Sequence, residues 1–130
     1  MRGTCHCGKT GWDWAGLPET ATACNCESCR RYAALWSYDW VGGKISLFGL
    51  EETRVFLRED REIEFHFCTT CGAIPFWRAV SPHPDGRRRA AVNLRMAEPE
   101  EVAGVPVFHG DMLEGTAPYH SRGTVADMWF

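Results

Sequence analysis

The sequence has no long apolar run, no surplus of positive charge, no internal repeat and no low-complexity stretch. No segment approaches the ~20 consecutive apolar residues of a membrane-spanning helix. The opening residues Met1-Arg2-Gly3-Thr4-Cys5-His6-Cys7 are followed by no apolar signal-type segment, so the expected compartment is the cytoplasm. Net charge is −3 with a pI of about 5.9, which argues against a general nucleic-acid binder that must neutralise many phosphates. GxSxG and GxGxxG are missing, and Gly43-Lys44 lacks the glycine five residues earlier that a P-loop needs. Hydrolase, nucleotide and dinucleotide chemistry therefore have no motif behind them.

What is present is one domain's length of sequence, 130 residues with 45% hydrophobic and 24% charged side chains. Residues 1–130 are expected to form a single domain, with the motifs in about 3–110 and a tail over 111–130. Seven cysteines and six tryptophans are the largest departures from average usage. Seven is odd, so disulfides alone cannot pair every thiol. In a reducing compartment, clustered cysteines point to metal binding or catalysis.

Short runs rich in Trp, Phe, Tyr, Val, Ile and Thr, punctuated by Gly and Pro, predict many short strands. Thr10–Ala15 alternates, with Trp12 and Trp14 on one face. Strands follow near Thr20–Cys24, Leu35–Trp40 and Ile45–Phe48. Thr53–Arg58 and Glu62–Phe67 form a hairpin through Glu59-Asp60-Arg61. Ile74–Val80 and Ala90–Leu94 flank a loop over Ser81–Arg88. Short helical turns are expected at Arg30–Ala34 and Glu98–Val102, the second with Pro99 at its first position. From His109 the pattern fades into a Gly-rich tail, whose end Met128-Trp129-Phe130 is expected to dock.

The cysteines divide into two clusters. In an extended segment Cys5 and Cys7 point to the same side. Cys68-Thr69-Thr70-Cys71-Gly72 has the form of a zinc knuckle, and Gly72 tolerates its tight geometry. These four thiolates complete a tetrahedron around zinc, a closed structural site with no room for substrate. The alternative is two unrelated pairs of buried thiols. Cys24-x-Cys26-x-x-Cys29 offers three thiolates and no obvious fourth ligand. Three protein ligands and one open position are the arrangement of a catalytic zinc site. Two alternatives stand beside it: His6, His66 or another residue completes a second structural site, or the three are plain surface cysteines.

These residues resemble the glutathione-dependent formaldehyde-activating family, which includes the centromere protein V domain. The resemblance rests on Gly3-Thr4-Cys5-His6-Cys7-Gly8, on Cys24-Asn25-Cys26-Glu27-Ser28-Cys29-Arg30 and on Phe67-Cys68-Thr69-Thr70-Cys71-Gly72. Val92-Asn93-Leu94-Arg95 looks like the family's late strand. The resemblance implies a mainly β, β-tent fold of small antiparallel sheets stitched by a structural zinc at Cys5, Cys7, Cys68 and Cys71. It implies a second, labile catalytic zinc at Cys24, Cys26 and Cys29. The implied reaction is addition of glutathione to formaldehyde, formally a carbon–sulfur lyase run in reverse. The alternative is a non-catalytic, zinc-stabilised binding module for a protein or small molecule.

Arg30 and Arg31 follow the second cluster and could hold a carboxylate such as glutathione's, or simply be surface charge. Trp36, in the aromatic stretch after it, could wall a pocket for glutathione or be strand core. Arg87-Arg88-Arg89 reads as a solvated loop, with an anion contact as the other reading. Asn93 and Arg95 could serve structure alone, and His109 and His120 lack ligand spacing. The expected partner is a small thiol or aldehyde, with no membrane and no nucleic acid.

Overall fold

A computed structural model describes residues 1–110 and 120–129. Among the described residues the chain is mainly β, with eleven short strands and few short helices. The strands are β1 (Arg2–Thr4), β2 (Gly11–Trp14), β3 (Ala21–Cys24), β4 (Trp36–Val41), β5 (Ile45–Phe48), β6 (Thr53–Leu57), β7 (Ile63–Cys68), β8 (Phe76–Ala79), β9 (Arg88–Asn93), β10 (Pro106–Gly110) and β11 (His120–Thr124). The helices are α1 (Glu27–Tyr32), α2 (Pro99–Val102) and α3 (Val125–Trp129).

The main path runs β1-β2-β5-β4-β9-β8-β7-β6. A branch leaves it at β4, which pairs with β3; β3 then pairs with β10, and β10 with β11. Pairing is antiparallel except along β3–β10 and at the single Val41–Ile45 contact of β4 with β5. The expected hairpin forms between β6 and β7, with Thr53 opposite Cys68 and Leu57 opposite Glu64.

Alternation along the central strands feeds two separate cores. On β8, Phe76 enters one and Trp77 the other; on β9, Ala90 and Val92 enter one and Ala91 the other. The larger core gathers Trp12, Trp14, Leu35, Ile45, Phe76, Val92 and Leu94. The smaller one gathers Cys29, Trp36, Phe65 and Trp77, with Cys24, Cys26, Tyr32 and Tyr38 packed against it. Each fully buried large side chain contributes roughly 1.5–3 kcal/mol. The second cysteine cluster therefore sits on the smaller core's face of the sheet.

Several elements differ from the sequence expectation, and β1 and β10 were not predicted at all. The first helical turn covers Glu27–Tyr32 rather than Arg30–Ala34, and ends on Ala33 in the left-handed region at φ 49°. β9 begins at Arg88, so Arg88 and Arg89 belong to a strand and not to the solvated loop expected over Arg87-Arg88-Arg89. Past His109 the chain forms β11 and α3, where a patternless tail was expected. Val125 of α3 is fully buried in the larger core, and Asp127 accepts hydrogen bonds from the Thr124 amide and hydroxyl. The docking of the Met128-Trp129-Phe130 side chains lies outside the described residues.

Asn93 serves structure. Its Oδ1 accepts from the Leu35 and Arg95 amides at 3.2 Å each, and its Nδ2 donates to the Ile74 carbonyl at 3.1 Å. It is 2% exposed, so water cannot replace these partners. Asn93→Ala should lower the unfolding free energy by roughly 2–4 kcal/mol, read by urea denaturation.

Candidate metal centres

Cys5 and Cys7 lie in the tight connection between β1 and β2, not in the extended segment expected from the sequence, and it is the turn that brings their sulfurs together. The Gly8 amide donates back to the Cys5 carbonyl at 2.9 Å, and the Thr10 amide reaches the Cys5 sulfur at 3.5 Å. Gly8 takes φ 78°, a left-handed value that a side chain would resist. A similar construction closes the other half. Cys68 ends β7, the Gly72 amide donates to its carbonyl at 2.9 Å, and the Thr70 amide points at its sulfur at 3.4 Å.

The two knuckles meet. Cys7 lies 3.5 Å from both Cys5 and Cys68, sulfur to sulfur, and all four sulfurs fall within 4.8 Å of one another. A zinc ion with ~2.3 Å bonds to four sulfurs needs edges of about 3.8 Å. The donor set and its spacing fit that ion. Burial opposes the charged form of Cys68, but the Cys71 and Thr70 amides outweigh it and bring that thiol down to about 6. The Lys9 amide favours the Cys7 thiolate, yet burial and the neighbouring sulfurs push that thiol up to about 12.

The second cluster stands at the end of β3 and the start of α1. The sulfurs of Cys24, Cys26 and Cys29 also lie within 4.8 Å of one another. Among the described residues, no further Cys, His, Asp or Glu ligand atom joins them within that span. His66, one candidate for a fourth ligand, is instead buried between Thr53 Oγ1, 2.8 Å from its Nδ1, and Glu64, 3.2 Å from its Nε2. Burial lowers its pKa, so it is neutral near pH 7.

Cys24 and Cys29 are shifted in opposite directions. A hydrogen bond from Cys29 favours the Cys24 thiolate, and the Cys26 amide and the charge of Arg58 add to it. Together they outweigh burial and bring Cys24 down to about 6. Donating to Cys24, together with burial, pushes Cys29 far above the ordinary thiol range. The Trp36 indole donates to the Cys29 sulfur at 3.2 Å.

A cleft of about 520 Å³ opens beside Cys26. Tyr32 and Phe56 give it aromatic walls, Arg31 and Arg58 bring two guanidinium groups, and Glu27, Glu59 and Asp60 bring three carboxylates. Arg31 pairs with Glu27, and Arg58 with Asp60. Both pairs are substantially exposed and are held only weakly.

Of the residues singled out from the sequence, Arg31 lines this cleft. Arg30 is exposed and is not among the lining residues. Trp36 is 1% exposed and belongs to the core, so its contribution is to the Cys29 sulfur and not to a pocket wall. Arg58 was not anticipated. It sits on the β6–β7 turn, and no spacing relative to the cysteines announces it.

The fold and its two sulfur sets define a small, mainly β chain equipped to hold metal. More particularly, a family model described as glutathione-dependent formaldehyde-activating enzyme matches residues 1–101, and the chain belongs to that family. A crystal structure of a Rhodobacter sphaeroides protein is similar, with a TM-score of 0.62 and 25% identity over 82% of this chain and 99% of that one. No curated protein matches the chain. Among the described residues, no helix is long and apolar enough to cross a membrane.

Proposed function

We propose that residues 1–130 act as one zinc-dependent, carbon–sulfur lyase-type domain that joins glutathione, or a related thiol, to formaldehyde in the cytoplasm. One observation carries the reading: three sulfurs lack a fourth ligand among the described residues, and one of them, Cys26, lines a cleft whose two guanidinium groups stand among three carboxylates, with room for a zwitterionic thiol. Cys5, Cys7, Cys68 and Cys71 would hold a structural zinc, and Cys24, Cys26 and Cys29 a second one. Zinc held by Cys24, Cys26 and Cys29 would supply the Lewis acidity that favours the thiolate form of an external thiol near neutral pH.

The chain's own residues supply the rest. Arg58 and Arg31 release their exposed carboxylate partners and grip a carboxylate of the thiol substrate. Tyr32 and Phe56 pack against its apolar stem. Trp36 fixes the Cys29 sulfur, which in turn sets the position of Cys24. In the reaction the substrate sulfur attacks the aldehyde carbon and a C–S bond forms. The carbonyl π pair moves onto oxygen, and the proton lost by the thiol ends on that oxygen through water. Holding sulfur and aldehyde together supplies the rate gain over the unaided reaction.

Exchange NMR with ¹³C-formaldehyde and glutathione tests the reading. Zinc-loaded protein should form the S-hydroxymethyl adduct faster than the spontaneous reaction. Arg58→Ala should raise KM for glutathione about tenfold with little change in kcat, since it removes a binding contact. A rate equal to the spontaneous one would leave the non-catalytic binding module as the better reading.

A further inference from the structure

A second cleft, of about 550 Å³, opens on the smaller core's face of the sheet. The β6–β7 turn divides it from the first: Arg58, Glu59 and Asp60 line one, Arg61 and Glu62 the other. We propose that this second cleft binds a planar aromatic carboxylate. The volume lies within the range of small-molecule sites, roughly 300–1,000 Å³.

Its walls select the planar body. Tyr38 and Trp77 pack against each other, 6.0 Å apart between ring centroids and inclined at 57°, and form an aromatic wall against which a flat ring can lie. Ile63 adds an aliphatic surface.

Its charges select the carboxylate. Arg61 and Arg89 both line the cleft, and among the described residues neither lies within 4.0 Å of a carboxylate. Five other arginines, Arg2, Arg31, Arg58, Arg78 and Arg87, do have acidic partners. The Arg89 guanidinium lies over the Tyr38 ring, 5.8 Å from its centroid, which keeps its charge at the aromatic wall. Glu62 is the one acidic lining residue, and its charge acts on Arg58 across the turn. Two positive groups against one negative leave the cleft suited to an anion. Arg61 also occupies the left-handed region at φ 59°, a conformation that costs an ordinary side chain energy. That backbone places a guanidinium at the cleft where glycine would have been the easier residue.

Titration calorimetry of the full chain with 2-naphthoate tests the proposal. Saturable binding that weakens as salt is raised is expected. Arg89→Ala and Arg61→Asn should each weaken it about tenfold or more, the loss of one charge-assisted hydrogen bond. Asn is chosen at position 61 because it tolerates positive φ. Neutral 2-naphthalenemethanol should bind at least tenfold more weakly than the carboxylate. Cys26→Ser should bind 2-naphthoate as the wild type does, which separates this site from the cysteine cluster and from its proposed reaction. The proposal is overturned by absence of saturation, by equal binding of the neutral analogue, by either arginine variant binding like the wild type, or by loss of binding in Cys26→Ser.

Discussion

Cys68→Ser should yield a chain that no longer unfolds cooperatively and that purifies with little zinc. Cys68 is 1% exposed at the end of β7, and its sulfur lies 3.5 Å from that of Cys7. The four-sulfur set joins the β1–β2 connection to the β7–β8 connection, two segments that the sheet path places far apart. Structural zinc contributes about 10–16 kcal/mol to small domains, while whole-domain stabilities are about 5–15 kcal/mol. If losing one of four ligands releases the ion, the energy removed is as large as the net stability. A serine hydroxyl would also sit buried where the Thr70 amide now points at a sulfur. Urea titration followed by circular dichroism, with metal analysis of the same sample, gives the answer. A soluble variant with a cooperative transition like the wild type's would mean that the two hydrophobic cores suffice and the metal clip is dispensable.

Most of the strands were legible in the sequence because their chemistry is local, though the short β1 and β10 were not. Trp12 and Trp14, two residues apart, both turn into the larger core, and Phe76 beside Trp77 marks a strand buried on both faces. The partners of those strands were not legible. β4 pairs with β9 across the middle of the chain, and β3 pairs in parallel with β10. Such choices follow from how both cores close, and no local pattern records them. The end of α1 was missed for a related reason. Ala33 takes the left-handed stop where a Gly or Asn would have advertised it. β11 is a polar His-Ser-Arg-Gly-Thr run that owes its conformation to pairing with β10 rather than to strand propensity.

The sulfur sets were legible down to each residue, because paired spacings of cysteine have few other uses. The surroundings of the second set were not. Arg58 reaches it from the far end of a hairpin, and only the fold makes them neighbours. Trp36 carried a readable signal, aromatic residues at strand spacing, but that signal fits a pocket wall and a core equally well. Its indole contact with Cys29 needed coordinates.

Cys26→Ser should separate metal binding from folding at the second cluster. The wild type is expected to carry two zinc ions per chain, and this variant about one. Cys26 is the safer of the three cysteines to change. Cys29 is 7% exposed and accepts the Trp36 indole, so altering it disturbs the smaller core. Cys26 is instead the N-cap of α1, at φ −57° and ψ 160°, and its side chain makes no capping hydrogen bond. Serine is among the strongest N-cap residues. The variant should therefore melt no lower than zinc-loaded wild type by more than the small contribution of a labile ion, and serine capping can add up to about 4 °C. Adduct formation in the exchange assay should fall to the spontaneous rate, because two thiolates and a hydroxyl hold zinc poorly at neutral pH. Retention of both zinc ions would remove Cys26 from the ligand set. Loss of both, or loss of the fold, would show that the two centres are one structural unit, and that the second is not an open site for a substrate thiol.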